Sequence, residues 1–92
     1  MTLRLRADVS TADTDDGLVL LDERAGRYWQ LNATGALVLR TLLDGSTPQQ
    51  TAALLADRHA VTTEQAAADV TALLEHLLAA GLVTDHANRV DP

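Results

Sequence analysis

Three histidines, two serines and a run of aspartates are the residues of this 92-residue chain whose types could do chemistry. His59, His76 and His86 could ligate a metal or move protons. No two of them stand four apart, the spacing that sets two ligands on one helix face. They read as ordinary solvent-facing or partly packed histidines. The only serines are Ser10 and Ser46, and Ser46 sits just before a helix start, where capping is the ordinary role. There is no cysteine, hence no thiol nucleophile, disulfide or Cys-based metal site. Asp13, Asp15 and Asp16 could hold Ca²⁺ weakly, but the glycine and downstream Glu of an EF-hand loop are missing, and a solvated turn fits them better. The glycines are scattered at turns and form no phosphate loop. No catalytic, cofactor-binding or metal-ligating residue is assigned, and the chain is expected not to be an enzyme.

The chemistry that remains is recognition, and it centres on GRYWQLN, residues 26–32. This stretch holds the only Tyr and the only Trp, in a chain without Phe. In a strand, neighbours point to opposite faces. Trp29 then shares a face with Arg27 and Leu31, and Tyr28 shares the other with Gln30. Leu31 leads into the helices, which puts Trp29 on the helix side, either as core or as the wall of a groove. Tyr28 falls on the outer face, its hydroxyl in water or on a partner. The strand carries one charge, Arg27, and no Pro. An edge so weakly protected is an aggregation hazard or a place for another strand to dock.

The elements that position these residues follow from periodicity. Leu3, Leu5, Ala7 and Val9 alternate with Arg4, Arg6, Asp8 and Ser10, which predicts a half-buried strand. STADTDDG follows as a hairpin connection or the frayed end of that strand. GLVLLD, residues 17–22, is apolar on both faces and reads as the central strand. ERAG makes a turn, and residues 27–31 form the third strand, an edge. Its neighbour exposes either Val19 and Leu21 or Leu18 and Leu20, a surface for a partner or for the N-terminal segment. The period then changes. Asn32 caps a first helix with an apolar stripe of Ala36, Leu37, Leu39, Leu42 and Leu43, stopped at Gly45. Thr47, Pro48 and Gln50 start a second helix that runs to about His59. Thr62 and Gln65 start a third, with Val61 placed to staple on Ala66. Its stripe is Ala66, Val70, Leu73, Leu74, Leu77 and Leu78. Gly81 ends it, with Leu82 folding back on the last turn, and residues 84–92 are expected to be a polar, frayed tail. The order predicts one α+β domain over residues 1–92: a three-stranded antiparallel sheet followed by three helices, winged helix-turn-helix-like.

Charge separates that architecture from a DNA reader. The net charge is −6, there is no Lys, and no Arg lies between His59 and Asn88. The third helix offers Glu64, Asp69 and Glu75, which repel phosphates. No nucleic acid partner is expected. MTLRLRADV has no signal-peptide run and no segment reaches membrane-span length, so no membrane partner and a cytoplasmic location are expected. By size the chain would bury roughly two-thirds of its unfolded surface, enough for one aliphatic core.

GLVLLDERAGRYWQLNATGALVLRTLLDG, then TPQQTAALLA, then ADVTALLEHLLAAGLV, resembles the PqqD-like family, also called RiPP recognition elements. The order and spacing of these runs, over about residues 9–83, carry the resemblance. YWQLNATGA is most similar to the stand-alone leader-binding proteins of lasso-peptide biosynthesis. The resemblance implies that a precursor's leader peptide adds as an antiparallel strand to the third strand, in a groove beside the third helix. It implies no cofactor and no catalysis by this chain. A separate leader peptidase, a transglutaminase-like cysteine protease, and a cyclase would do the chemistry. Such leaders carry a Tyr-x-x-Pro element and a Leu shortly after it. Carried over, the strand contribution falls on Arg27, Tyr28, Trp29, Gln30 and Leu31. On the third helix Asp69, Leu73, His76 and Leu77 lie on one side at spacings of three and four. Asp69 is expected to accept a hydrogen bond or pair with a basic leader residue. Leu73 and Leu77 either line the pocket or belong to the core. The alternative is a generic interaction or dimerisation module using the same edge, although a monomer is expected.

Overall fold

Between residues 9 and 32 the chain folds as an antiparallel meander. A computed structural model describes residues 3–85. Strands β1 (Leu3–Leu5), β2 (Val9–Thr14), β3 (Gly17–Asp22) and β4 (Arg27–Asn32) precede helices α1 (Ala33–Leu43), α2 (Pro48–His59) and α3 (Thr63–Ala79), and β5 (Val83–Asp85) follows. The main sheet has the order β2-β3-β4, so β3 is central, as its two apolar faces predict.

Two expectations about the strands are corrected. The alternation over residues 3–10 is not one strand. The chain turns at Ala7 and Asp8, where the Val9 N–H donates to the Arg6 carbonyl. The stretch after it is a hairpin connection only at Asp15 and Asp16; residues 9–14 are strand, with backbone partners on β3 from Val9↔Asp22 to Thr14↔Gly17. The expected frayed tail also begins too early. Leu3, Arg4 and Leu5 pair with Asp85, Thr84 and Val83, making a second, two-stranded sheet. Leu3 and Val83 are both 2% exposed, so this ribbon contributes to the core. Residues 86–92 of the expected tail, with His86, lie outside the described residues.

The helices start and stop where local chemistry places them. Asn32 Oδ1 accepts from the Gly35 N–H at 2.8 Å. Thr47 and Gln50 form a reciprocal capping box with Pro48 in the first turn. The Thr62 hydroxyl accepts from the Gln65 N–H at 3.0 Å. At the end of α3 the Leu82 N–H donates to the Leu77 carbonyl and the Gly81 N–H to that of Leu78, a Schellman pair that needs the positive φ of Gly81, 75°. Helix α2 ends on Ala60 in the same left-handed region, at φ 52°.

Helix α1 packs on β3, β4 and β1 on one side and on α2 on the other. It is therefore buried over a wider arc than its predicted stripe: Val38 is buried, while Leu37 and Leu43 are half-buried. Leu78 departs in the other direction. It is exposed, because α3 is covered on one side only. The core joins Leu18 and Leu20 of β3 to Leu39, Leu42, Leu55, Val70, Leu74 and Leu77 of the helices.

Candidate functional site

The site is built on the open edge of β4. Residues paired directly across an antiparallel ladder share a face. Trp29 pairs with Leu20 and Leu31 with Leu18, both of which are buried under the helices. Trp29, Leu31 and Arg27 therefore face the helices, as the sequence predicts. Tyr28 and Gln30 pair with Leu21 and Val19 on the outer face, which settles which pair of β3 is exposed.

The direction of the backbone groups follows from Gly17. A Cβ on Gly17 would run into the Leu31 carbonyl oxygen, so only glycine fits there and that oxygen points at β3. In an antiparallel ladder alternate residues turn both backbone groups to the same neighbour. Arg27, Trp29 and Leu31 thus bond to β3. Tyr28 and Gln30 turn their N–H and C=O groups to the open side of the sheet. Asn32 shares that parity, but its side chain is spent on capping α1.

Across this edge lies α3. Its tight packing is with α2, and it also meets α1 and β5. Side chains span the space to β4. The Trp29 ring meets the His76 ring edge-on, with centroids 5.3 Å apart and planes at 80°. The Arg27 guanidinium lies 5.5 Å from the centroid of the Trp29 ring, within cation–π range. Trp29 is half-buried and packs against the core, so one side of it belongs to the core and the other meets solvent. Leu31 and Leu73 are likewise half-buried against the core. Asp69 and His76 are exposed on α3, seven residues or about 10 Å apart along its axis. A strand covers that distance in about three residues.

Of the residues singled out in sequence, the structure brings Arg27, Trp29 and His76 into contact. Leu77 is 1% exposed and belongs to the core, so it offers no surface to a ligand as the chain stands. Leu73, one turn earlier, keeps part of its surface exposed. Leu21 was the unassigned neighbour: it is the direct cross-strand partner of Tyr28, and the two are 40% and 71% exposed. The two apolar phases of β3 hid it until the register was known. Asp13, expected in a solvated turn, forms an ion pair with Arg40 of α1. Among the described residues no three His, Asp or Glu side chains cluster as metal ligands, and no helix is long and apolar enough to cross a membrane.

Known proteins share this fold. A solved structure described as "Lasso peptide synthetase B1 complexed with the leader peptide" superimposes with a TM-score of 0.87 and 42% identity, over 92% of this chain and all of that one. A second, "TbiB1 in Complex with the TbiA(beta) Leader Peptide", gives 0.81 and 25% identity over 96% of this chain and all of that one. No curated protein matches. The family model of coenzyme PQQ synthesis protein D matches residues 17–83, from the first residue of β3 to the first of β5. That span holds the open edge, all three helices and every residue of the candidate site, and the chain belongs to the PqqD family.

Proposed function

We propose that this protein captures the leader of a ribosomally made precursor, a lasso-peptide precursor, as an added strand on β4, and presents it to a separate leader peptidase. The observation that carries this reading is the open backbone of Tyr28 and Gln30 beside a wall formed by Trp29 and α3. Both structural neighbours are complexes with leader peptides, which supports the same use of this chain. The peptide runs along Arg27, Tyr28, Trp29, Gln30 and Leu31. Its inward side chains meet Trp29, Leu31, Leu73 and His76, and Asp69 receives a basic residue or a hydrogen-bond donor. Leu77 supports this floor from within the core. The chain itself performs no bond-making step, and the peptidase and a cyclase act on what it holds.

Added strands gain backbone hydrogen bonds and side-chain burial, and they lose the ordering entropy of a disordered leader. A dissociation constant between micromolar and about ten nanomolar, about −8 to −11 kcal/mol, is the expected range. Titration of a synthetic cognate leader peptide, followed by Trp29 fluorescence, tests the reading. Saturable binding with a shifted Trp emission is the expected result. Saturable binding seen by calorimetry with unchanged Trp emission would move the site away from β4. Absence of binding by either method would remove the function.

A further inference from the structure

The outer face of the sheet adds a second half to the peptide site. Leu21 and Tyr28 face each other across β3 and β4 and are 40% and 71% exposed. Val19 and Gln30 form the next row on the same face. Helix α1 covers β3 and β4 from the inner side, where Leu18 and Leu20 are buried. The Tyr28 ring thus has a neighbour on the β3 side and an open sheet edge on the other. Tyr28 is also one of the two residues whose backbone is turned to that edge.

A strand that bonds to Tyr28 and Gln30 places the residue opposite each of them on the same face as that side chain. Its alternate side chains enter the groove beside Trp29. The remaining ones continue the Leu21–Tyr28 and Val19–Gln30 rows outward. We infer that Tyr28 is a specificity-determining residue that reads the outward side of the bound peptide, selecting an apolar or aromatic side chain directly opposite it to complete a three-residue row with Leu21. This rests on the added-strand reading above and deepens it: the peptide is read on both faces, not in the groove alone. The occupant follows from continuity, since the row ends at the backbone edge that takes the strand. A charged residue at that position gains nothing from Leu21 or from the face of the tyrosine ring.

The test is an alanine scan of a fluorescein-labelled synthetic cognate leader, titrated by anisotropy into the wild-type protein and into Tyr28→Thr. Threonine keeps the strand preference, and the site is largely exposed, so the fold is retained. Losses are expected at alternate positions for the groove. A separate outward position should lose up to about fivefold with wild type and nothing with Tyr28→Thr, the size of a cross-strand pair. Equal losses at that position in both proteins, or outward alanines without effect, would overturn the role of Tyr28 while leaving groove binding intact. Sedimentation of the free protein supplies the other arm: self-association abolished by Tyr28→Thr would assign this face to a second copy instead. A wild-type protein that fails to bind the parent peptide would overturn the strand-addition reading itself, and this inference with it.

Discussion

Individual side chains divide the site into parts that shape it and parts that attract. Trp29 shapes it: Arg27 over its face and the T-shaped contact with His76 fix the ring between strand and helix. Asp69 is proposed to attract. It is exposed on α3, seven residues from His76 and so on the same side of the helix, and neither ion pair found among the described residues involves it. Glu64, near the start of the same helix, is equally exposed but five residues away, well over a full turn round the axis. Asp69→Ala is expected to weaken leader binding about threefold to fivefold, as befits an exposed charge meeting one partner, and Glu64→Ala to leave it within twofold. Raising the salt concentration should shrink the difference. Equal effects of the two substitutions in a side-by-side titration would place the peptide on another face of α3.

At the scale of elements, the parity of β4 makes a sharp distinction between adjacent positions. Proline lacks the N–H and is tolerated in a sheet only where that group faces an open edge. Gln30→Pro removes an outward donor, so the fold should persist by circular dichroism while leader affinity falls at least tenfold. Trp29→Pro removes a bond to β3 and a half-buried ring, and should cost stability first. The reverse pattern would mean that the edge is read out of phase. The helices were legible in the sequence because their signals are local: Asn32, the Thr47–Gln50 box, Thr62 and Gly81 each act within a few residues. The phase of Trp29 was legible too, since Leu31 ties that face to the helices. The split of the first strand was not, because Leu3, Leu5, Ala7 and Val9 keep one alternation across a turn, while Leu3 and Leu5 pair with β5 and Val9 pairs with β3. Leu77 was ambiguous for a related reason. Helical spacing sets it beside Leu73, and only packing shows that Leu77 is buried and Leu73 half-buried.

For the molecule as a whole, the β1–β5 ribbon connects these scales. It joins both ends of the described chain, packs on α1 through β1, and meets α3 through β5. The Trp29–His76 ring contact bridges α3 and β4, so the spacing between them depends on what holds α3 from behind. Helix α2 packs most closely on α3, and the ribbon adds to that hold: the Arg6 N–H donates to the Leu82 carbonyl just after the α3 cap, and Leu3, Leu82 and Val83 are all buried. Leu3→Ala removes a side chain that is 2% exposed and leaves a cavity under α1. It should cost about 2–4 kcal/mol in urea denaturation, with an unchanged m-value. It should also weaken leader binding by the still-folded protein, because a looser ribbon lets α3 drift from β4. Stability equal to wild type would show that the ribbon lies outside the cooperative unit. A large loss of stability with full affinity would show that α1 and α2 alone set the position of α3.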